Sequence, residues 1–276
     1  MSTTMLTYEA LDSPIHKLTG ATKLIVFILW SIASMMTYDT RLLLLLFVLS
    51  IIIFTVSRVP FKSVAFVLYF ILFFLVLNNV AIFLFAPDQG TAIYGTRHVL
   101  WPLFAGHAMT QEQLFYQMNM TLKYFSVIPM ALLFIVTTDP SEFAASLNKI
   151  GVNYKIAYAV AIALRYIPDI QRDYQDISFA QQARGIDMSR KEKLHKRIKN
   201  ASAILMPLIL SSLERIEVIS SAMELRCFGN QKKRTWYKAR PFTLNDFIAI
   251  GCVVLLLGLS IAATVLNGGR FYNPFI

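Results

Sequence analysis

The sequence predicts an all-α integral membrane protein with about five transmembrane helices and one long cytoplasmic helical insert. Three observations lead to this prediction. Of the 276 residues, 56% are hydrophobic, and the mean hydropathy is +0.56. Only 15% are charged, whereas ordinary soluble domains carry about 25% charged residues. The apolar residues also gather in runs close to the length that crosses a bilayer.

Charge divides the chain into three regions. Residues 139–240 hold 18 of the 26 Lys and Arg residues and 10 of the 16 Asp and Glu residues, which is the charge density of a soluble protein. The rest of the chain has too few charges for a water-exposed surface. We therefore predict an N-terminal transmembrane region at 1–138, a polar helical insert at 139–240 and a C-terminal transmembrane helix at 241–276.

Five segments are candidates for transmembrane helices. A spanning helix needs about 20 mostly apolar residues, so the third segment is the clearest and the first is slightly short. The segments are 23–38, 42–56, 64–85, 116–136 and 247–266.

The orientation follows from the basic residues near the ends of these segments. Cytoplasmic loops are enriched in Lys and Arg. With the N-terminus inside, 22 of the 26 basic residues face the cytoplasm, and Arg41, Arg97 and Arg270 face outward. The stretch 86–113, rich in Pro and Gly, is then an external loop. We see no cleaved signal peptide before the first segment.

The insert is predicted to be helical. Asp139-Pro140 is typical of a helix start, with a capping carboxylate followed by Pro at the first helical position. A longer helix begins at Asn153, is expected to kink at Pro168, and ends near Gly185. A further apolar helix, 201–229, is broken by a proline and its apolar part is too short to span a bilayer.

Two helix ends in the insert share one pattern. Each has an Arg in the last helical turn, a small residue four positions before it, and a glycine close behind. The segments are Ala180-Gln181-Gln182-Ala183-Arg184-Gly185 and Ala222-Met223-Glu224-Leu225-Arg226-Cys227-Phe228-Gly229. Each Arg complements the negative end of its helix dipole. Taken singly, each is an ordinary C-capping residue; taken as a pair, they favour a docking role, because a guanidinium binds a carboxylate through two parallel hydrogen bonds.

With two further stretches, these motifs resemble the transmembrane (T) component of energy-coupling-factor (ECF) transporters, the EcfT/CbiQ family. The segment 12–24, DSPIHKLTGATKL, is similar to the family's opening before its first span. Arg165-Tyr166-Ile167-Pro168 followed by 181–185 resembles the first coupling helix, and 221–229 resembles the second. The family usually has Ala-Arg-Gly at both tips. The second tip departs from this with Leu225-Arg226-Cys227, which keeps the Arg.

The resemblance implies a non-catalytic coupling subunit of an importer in the bacterial cell membrane, with no cofactor. In the family, the two Arg tips dock on two ABC ATPase subunits. Closure of the ATPases on ATP moves the coupling helices, and a small membrane-embedded substrate-binding (S) component imports a vitamin or a transition-metal ion. The docking residues are then Ala183, Arg184, Gly185, Leu225, Arg226 and Cys227. The packing residues are Ile167, Ile170, Ala180, Ile216, Ile219, Ala222 and Met223. The same apolar stripes also suit the core of an ordinary cytoplasmic helical domain.

Two basic clusters flank the second of these helices. The run 190–199 is either a solvated or lipid-facing surface or part of the ATPase interface. Lys232-Lys233-Arg234 lies next to Trp236 and Tyr237, a combination that suits a membrane–water interface.

The sequence gives little indication of nucleotide binding, metal binding or catalysis. The segment 90–97 has phosphate-loop spacing but lacks the Lys that precedes Ser or Thr, so we expect the ATPase to be another chain. The four histidines have no metal-site spacing. Asp169, Asp173 and Asp176 alternate with arginines and indicate a salt-bridged face rather than a catalytic cluster.

The few polar groups within the predicted spans form no polar seam that would line a substrate path. Lys123 is expected to extend toward the interface, and Asn78-Asn79 to form helix–helix hydrogen bonds. The alternatives are an ordinary ABC permease that lines the substrate path itself and, as a third reading, a membrane-embedded enzyme.

Overall fold

The computed structural model describes residues 13–102, 108–186, 194–231, 235–236 and 240–275. Helices dominate, which confirms the all-α fold class. The bounds are α1 Pro14–Lys17, α2 Gly20–Met36, α3 Thr40–Val56, α4 Phe61–Phe85, α5 Gln89–Tyr94, α6 Gln111–Thr137, α7 Pro140–Lys149, α8 Tyr154–Ala183, α9 Leu194–Leu225 and α10 Leu244–Leu266, with a two-stranded antiparallel hairpin of β1 Val99–Pro102 and β2 Ala108–Thr110.

Helices occupy all five predicted transmembrane segments, and three of them are long and apolar enough to cross a membrane: Val64–Phe85, Gln111–Thr137 and Leu244–Leu266. The other two, α2 and α3, have 17 residues each. At 1.5 Å per residue they extend roughly 26 Å, slightly less than a hydrocarbon core of about 30 Å.

The described residues form two compact units. One contains the residues up to Asp139 and from Arg240 onward, and the other is Pro140–Ala239. We describe each by itself, as the transmembrane unit and the insert unit.

Helix α6 is the centre of the transmembrane unit and packs against α2, α3, α4 and α5. Trp30 of α2 is 1% exposed, and its Nε1 donates to the carbonyl oxygen of Ser126 on α6 at 3.1 Å. The predicted helix–helix bonding of Asn79 is confirmed, since its Nδ2 donates to Thr121 Oγ1 of α6 at 3.2 Å.

Two buried lysines cap the ends of the α2–α6 pair. Nζ of Lys23 on α2 donates to the carbonyl oxygen of Thr137, the last residue of α6, at 2.7 Å. Nζ of Lys123 on α6 donates to the carbonyl oxygen of Met35 in the last turn of α2 at 3.0 Å. Helix-terminal carbonyls lack intrahelical donors and carry partial negative charge, so each lysine satisfies the C-terminus of the other helix.

The expectation that Lys123 extends toward the interface is therefore wrong. Its side chain is 3% exposed, and Nζ lies 3.1 Å from the centroid of the Tyr38 ring. The carbonyl oxygen and the aromatic face within reach offset part of the cost of burying the ammonium group.

A buried carboxylate ties the start of α10 to the start of α2. Asp246 is 0% exposed. Its Oδ1 accepts from Thr19 N at 2.9 Å and from Thr19 Oγ1 at 3.2 Å. Its Oδ2 accepts from Thr243 N and Thr243 Oγ1, both at 2.7 Å. The opening motif of the chain thus has a structural role, since Thr19 and Lys23 both anchor α2.

The predicted external loop 86–113 contains more structure than expected. It includes α5 and both strands, and α6 begins at Gln111, before the predicted residue 116. The carboxylate of Glu112 explains the early start. It is buried and accepts hydrogen bonds from Thr96 Oγ1 at 2.9 Å and His98 N at 3.1 Å, which ties the loop to the first turn of α6.

The insert unit is a stack of α7, α8 and α9, in which α8 contacts both others. Helix α7 begins at Pro140, as the Asp139-Pro140 pair predicts, and Asn153 caps α8 by accepting from Lys155 N at 3.0 Å. Helix α9 begins at Leu194, seven residues before the predicted start.

Helices α8 and α9 run antiparallel. Near the end of α8, Gln181 Nε2 donates to the carbonyl oxygen of Ala203 at 3.2 Å. At the middle, Arg215 Nη2 donates to Asp173 Oδ2 at 2.7 Å. Near the start of α8, the rings of Tyr158 and Phe228 lie 4.7 Å apart. Contacts at three levels indicate that the two helices stay together along most of their length.

Candidate functional site

The C-terminus of α8 is a two-bond cap with Arg184 at the C-cap. Gly185 N donates to the carbonyl oxygen of Gln182 at 2.9 Å, and Ile186 N donates to that of Gln181 at 3.1 Å. Gly185 has φ +84°, the left-handed conformation that this cap requires. The prediction that α8 ends at Gly185 is confirmed.

The C-terminus of α9 has the same cap with Arg226 in the equivalent position. Cys227 N donates to the carbonyl oxygen of Glu224 and Phe228 N to that of Met223, both at 2.9 Å. Cys227 takes the place of Gly185 and has φ +52°. The two motifs singled out from the sequence therefore fold into the same backbone structure.

Both arginines are exposed where their helices end. The last helical carbonyls give each tip partial negative charge, which an arginine complements. The Arg of each tip can bind a carboxylate through two parallel hydrogen bonds. We refer to 183–186 as tip 1 and to 225–228 as tip 2.

The antiparallel arrangement places the tips at opposite ends of the α8–α9 pair. Tip 1 follows the end of α8, whereas Phe228 of tip 2 contacts Tyr154 and Tyr158 at the start of α8. Helix α8 has 30 residues and contains Pro168, so at 1.5 Å per residue the tips lie at most roughly 45 Å apart. The insert unit thus presents two equivalent charged tips at a long separation.

The residues that the sequence assigns to coupling-helix packing are mostly on the surface of the insert unit. Ile167 is 49% exposed, Ile170 39% and Ile216 57%. Ala180 and Ala222 are also exposed, while Ile219 and Met223 are half-buried. The role of these residues in packing stays a prediction.

The carboxylates of α8 take part in ion pairs, as the sequence indicates. Asp173 binds Arg215, and Asp169 lies 3.9 Å from Arg172. Within the described part of the chain, no group of three or more His, Cys, Asp or Glu residues is placed to hold a metal ion. The basic cluster 232–234, Tyr237 and residues 190–193 of the basic run lie outside the described residues.

Sequence reasoning found both tips but not the strain in tip 2. A residue with a Cβ in the left-handed region costs about 1 kcal/mol more than glycine. The available signal was the replacement of the family's glycine by Cys227, which indicates the position but not the backbone angle.

Replacing Cys227 by Gly is expected to stabilise tip 2 by about 1 kcal/mol, because glycine adopts positive φ without strain. Hydrogen exchange at the amides of residues 227 and 228, which close the cap, should slow about fivefold. The Cys227→Ala variant is the matched control, since it removes the thiol but keeps the Cβ. Equal exchange in the two variants would show that tip 2 is not strained.

Comparison with known proteins gives one consistent family. The CbiQ family model, described as cobalt transport protein, matches residues 12–237. The chain is similar to the energy-coupling factor transporter transmembrane protein EcfT of Heliobacterium modesticaldum, at 29% identity over 91% of this chain and 95% of that protein. The EcfT of Ruminiclostridium cellulolyticum is 30% identical over 89% of this chain and 91% of that protein.

A relative of a different kind is a putative ABC transporter ATP-binding protein of Bifidobacterium longum. It is 29% identical over 148 residues, which is 51% of this chain and 19% of that protein. A protein named for ATP binding therefore also contains a stretch similar to half of this chain.

Proposed function

The chain belongs to the CbiQ family and is the transmembrane component of an energy-coupling-factor transporter, and we propose that tips 1 and 2 are its docking sites for two ABC ATPase subunits. Closure of the ATPases on ATP would move the α8–α9 pair, and this motion would drive uptake of a vitamin or transition-metal ion by a membrane-embedded substrate-binding component. In this proposal the chain transmits motion and performs no catalysis.

The observation that carries the proposal is the equivalence of the two tips. Each has the same two-bond cap and an exposed Arg at the same position, and the tips lie at opposite ends of one antiparallel pair. Two equal sites on one chain suit two similar partners, and a carboxylate in a groove of each partner is the complementary group. The α8–α9 contacts would make the two tips move together.

The relative from Bifidobacterium longum supports the choice of partner. That protein is named for ATP binding and also contains a stretch similar to this chain. A coupling segment and an ATP-binding protein in one polypeptide are expected if the two kinds of unit work together.

The exposed apolar residues of the insert unit support a third partner. Ile156 and Ile216 are 58% and 57% exposed, and Met206 is 62% exposed. These residues lie at several levels of the α8–α9 pair, and large exposed apolar surfaces typically mark sites of interaction with a protein or a membrane. We propose that a substrate-binding component covers part of this surface.

The proposed orientation places the N-terminus and the insert unit in the cytoplasm of a bacterial cell. It is supported by the distribution of Lys and Arg, of which 18 of 26 lie in 139–240. Cytoplasmic segments close to membrane spans are enriched in these residues. The ATPases would then bind ATP on the same side of the membrane as the insert unit.

The chain contains a matched pair of thiols for testing the docking proposal. Cys227 is exposed in tip 2, and Cys252 is exposed in the apolar helix α10. A photoreactive group attached to Cys227 in the Cys252→Ser variant should cross-link an ABC ATPase in native membranes. The same group on Cys252 in the Cys227→Ser variant should not. Cross-linking of ATPase from Cys252 alone would count against docking at tip 2.

A further inference from the structure

The transmembrane unit contains an apolar cavity with a volume of about 330 Å³. Residues of α2, α3, α6 and α10 form its walls, and the short helix α1 borders it. The rings of Phe27 and Phe134 belong to the wall and stack with their centroids 5.6 Å apart. Lys23 also lines the cavity, but its ammonium group is bonded to the carbonyl oxygen of Thr137. The cavity therefore presents a hydrocarbon surface.

The cavity is open on the side where α3 and α10 meet the bilayer. Ile52 and Val56 of α3 are 50% and 46% exposed, and Cys252 of α10 is exposed; all three line the cavity. On the opposite side, the lining residues Trp30 of α2 and Met130 of α6 are buried. An empty apolar cavity forfeits dispersion contacts, and an acyl chain that enters from the bilayer restores them.

The depth of the cavity suits one leaflet of the bilayer. On α2 its lining extends from Lys23 to Trp30, and on α10 from Ala249 to Leu256. Each of these stretches is roughly 10 Å long, whereas the hydrocarbon of one leaflet is about 15 Å thick. Both stretches belong to the first half of their helix. With the N-terminus inside, the cavity therefore lies in the cytoplasmic leaflet.

Two exposed basic residues lie at the cytoplasmic end of this cavity. Lys17 of α1 is exposed and lies between Ile15 and Leu18, which both line the cavity. Arg58 is exposed just after the end of α3, two positions beyond the lining residue Val56. Neither forms an ion pair with another described residue. Basic residues on two separate elements next to a membrane surface attract anionic headgroups.

We propose that the cavity holds one acyl chain of an anionic phospholipid of the cytoplasmic leaflet, with the headgroup beside Lys17 and Arg58. A neutral lipid finds the same hydrocarbon surface, so the two basic residues supply the preference for negative charge. The bound lipid would join α3 to α10, which border the opening. The inference rests on the proposed orientation of the chain but not on ATPase docking, so the two proposals can fail separately.

Quenching of tryptophan fluorescence by brominated acyl chains tests the proposal on the full chain in vesicles. Bromine quenches at short range, and Trp30 lines the cavity. The chain has three tryptophans, so replacing Trp101 and Trp236 by Phe leaves Trp30 as the only reporter. Half-complete quenching should need at least about tenfold less brominated phosphatidylglycerol than brominated phosphatidylcholine. Lys17→Gln and Arg58→Gln should each reduce this preference about fivefold, and the double variant should abolish it.

Two matched controls separate the headgroup from the cavity. Arg97→Gln removes an exposed basic residue of the predicted external loop and should leave the preference unchanged. Ala249→Leu fills the cavity from α10 and should weaken quenching by both lipids, whereas Ala262→Leu, at an exposed position of α10 outside the cavity, should not. Equal quenching by the two brominated lipids in the Trp30 reporter would overturn the anionic lipid. Undiminished quenching in Ala249→Leu would overturn the cavity as its site.

Discussion

Replacing Arg184 and Arg226 together by Glu is expected to abolish association with the ABC ATPases, while the chain still inserts into the membrane. Each arginine is exposed at a helix end, so we expect both replacements to leave the fold of the insert unit intact. In the complex, each Glu would face the carboxylate that the Arg is proposed to bind. Losing one partner of a desolvated charge pair costs about 2–5 kcal/mol, so each single variant should bind at least about 30-fold more weakly.

The matched control for this prediction is Arg172→Glu. Arg172 is 77% exposed in its side chain and lies in the middle of α8, away from both tips. The charge change is the same, so association should stay at the wild-type level. Undiminished purification of the ATPases with the double variant would contradict the docking proposal. An equal loss of ATPase association in Arg172→Glu would show that the effect comes from the change in overall charge and not from docking at the tips.

Replacing Asp246 by Ala is expected to destabilise the transmembrane unit by about 2–4 kcal/mol. The variant removes the acceptor of four hydrogen bonds, two from Thr19 and two from Thr243. Because Asp246 is fully buried, water cannot replace the carboxylate at low cost. The thermal unfolding midpoint of the purified chain in detergent should fall by several degrees.

Asp88→Asn is the control for the stability prediction. Asp88 also precedes a helix, but its side chain forms no capping hydrogen bond and it is exposed, so its replacement should change the midpoint little. An Asp246→Ala midpoint equal to that of the wild type would mean that the link between α2 and α10 contributes nothing to stability.

The helices and the tips could be predicted from the sequence because both depend on local patterns. Apolar runs predicted the positions of the five apolar helices, and an Arg followed by Gly predicted the end of α8 at Gly185. The position of each cap depends on residues within one turn, such as the bond from Ile186 N to the carbonyl oxygen of Gln181. Such short-range signals can be recognised in the sequence without knowledge of the fold.

The contacts of the buried charges could not be predicted from the sequence, because they join distant parts of the chain. Lys23 finds its acceptor 114 residues away, Lys123 88 residues away, and Asp246 bonds to a threonine 227 residues before it. Nothing local distinguishes a lysine that extends toward the interface from one that caps a neighbouring helix. The conformation of Cys227 was missed for a related reason, since the backbone angle is imposed by the cap and not by the residue.

We propose that this chain couples ABC ATPases to a separate substrate-binding protein. Affinity purification of the tagged wild-type chain in mild detergent, with mass spectrometry of the proteins that accompany it, is the decisive test of this claim. We expect two ABC ATPase subunits and a small, very hydrophobic membrane protein whose identity would indicate the substrate. Recovery of the intact chain from native membranes without any ABC ATPase would contradict the claim.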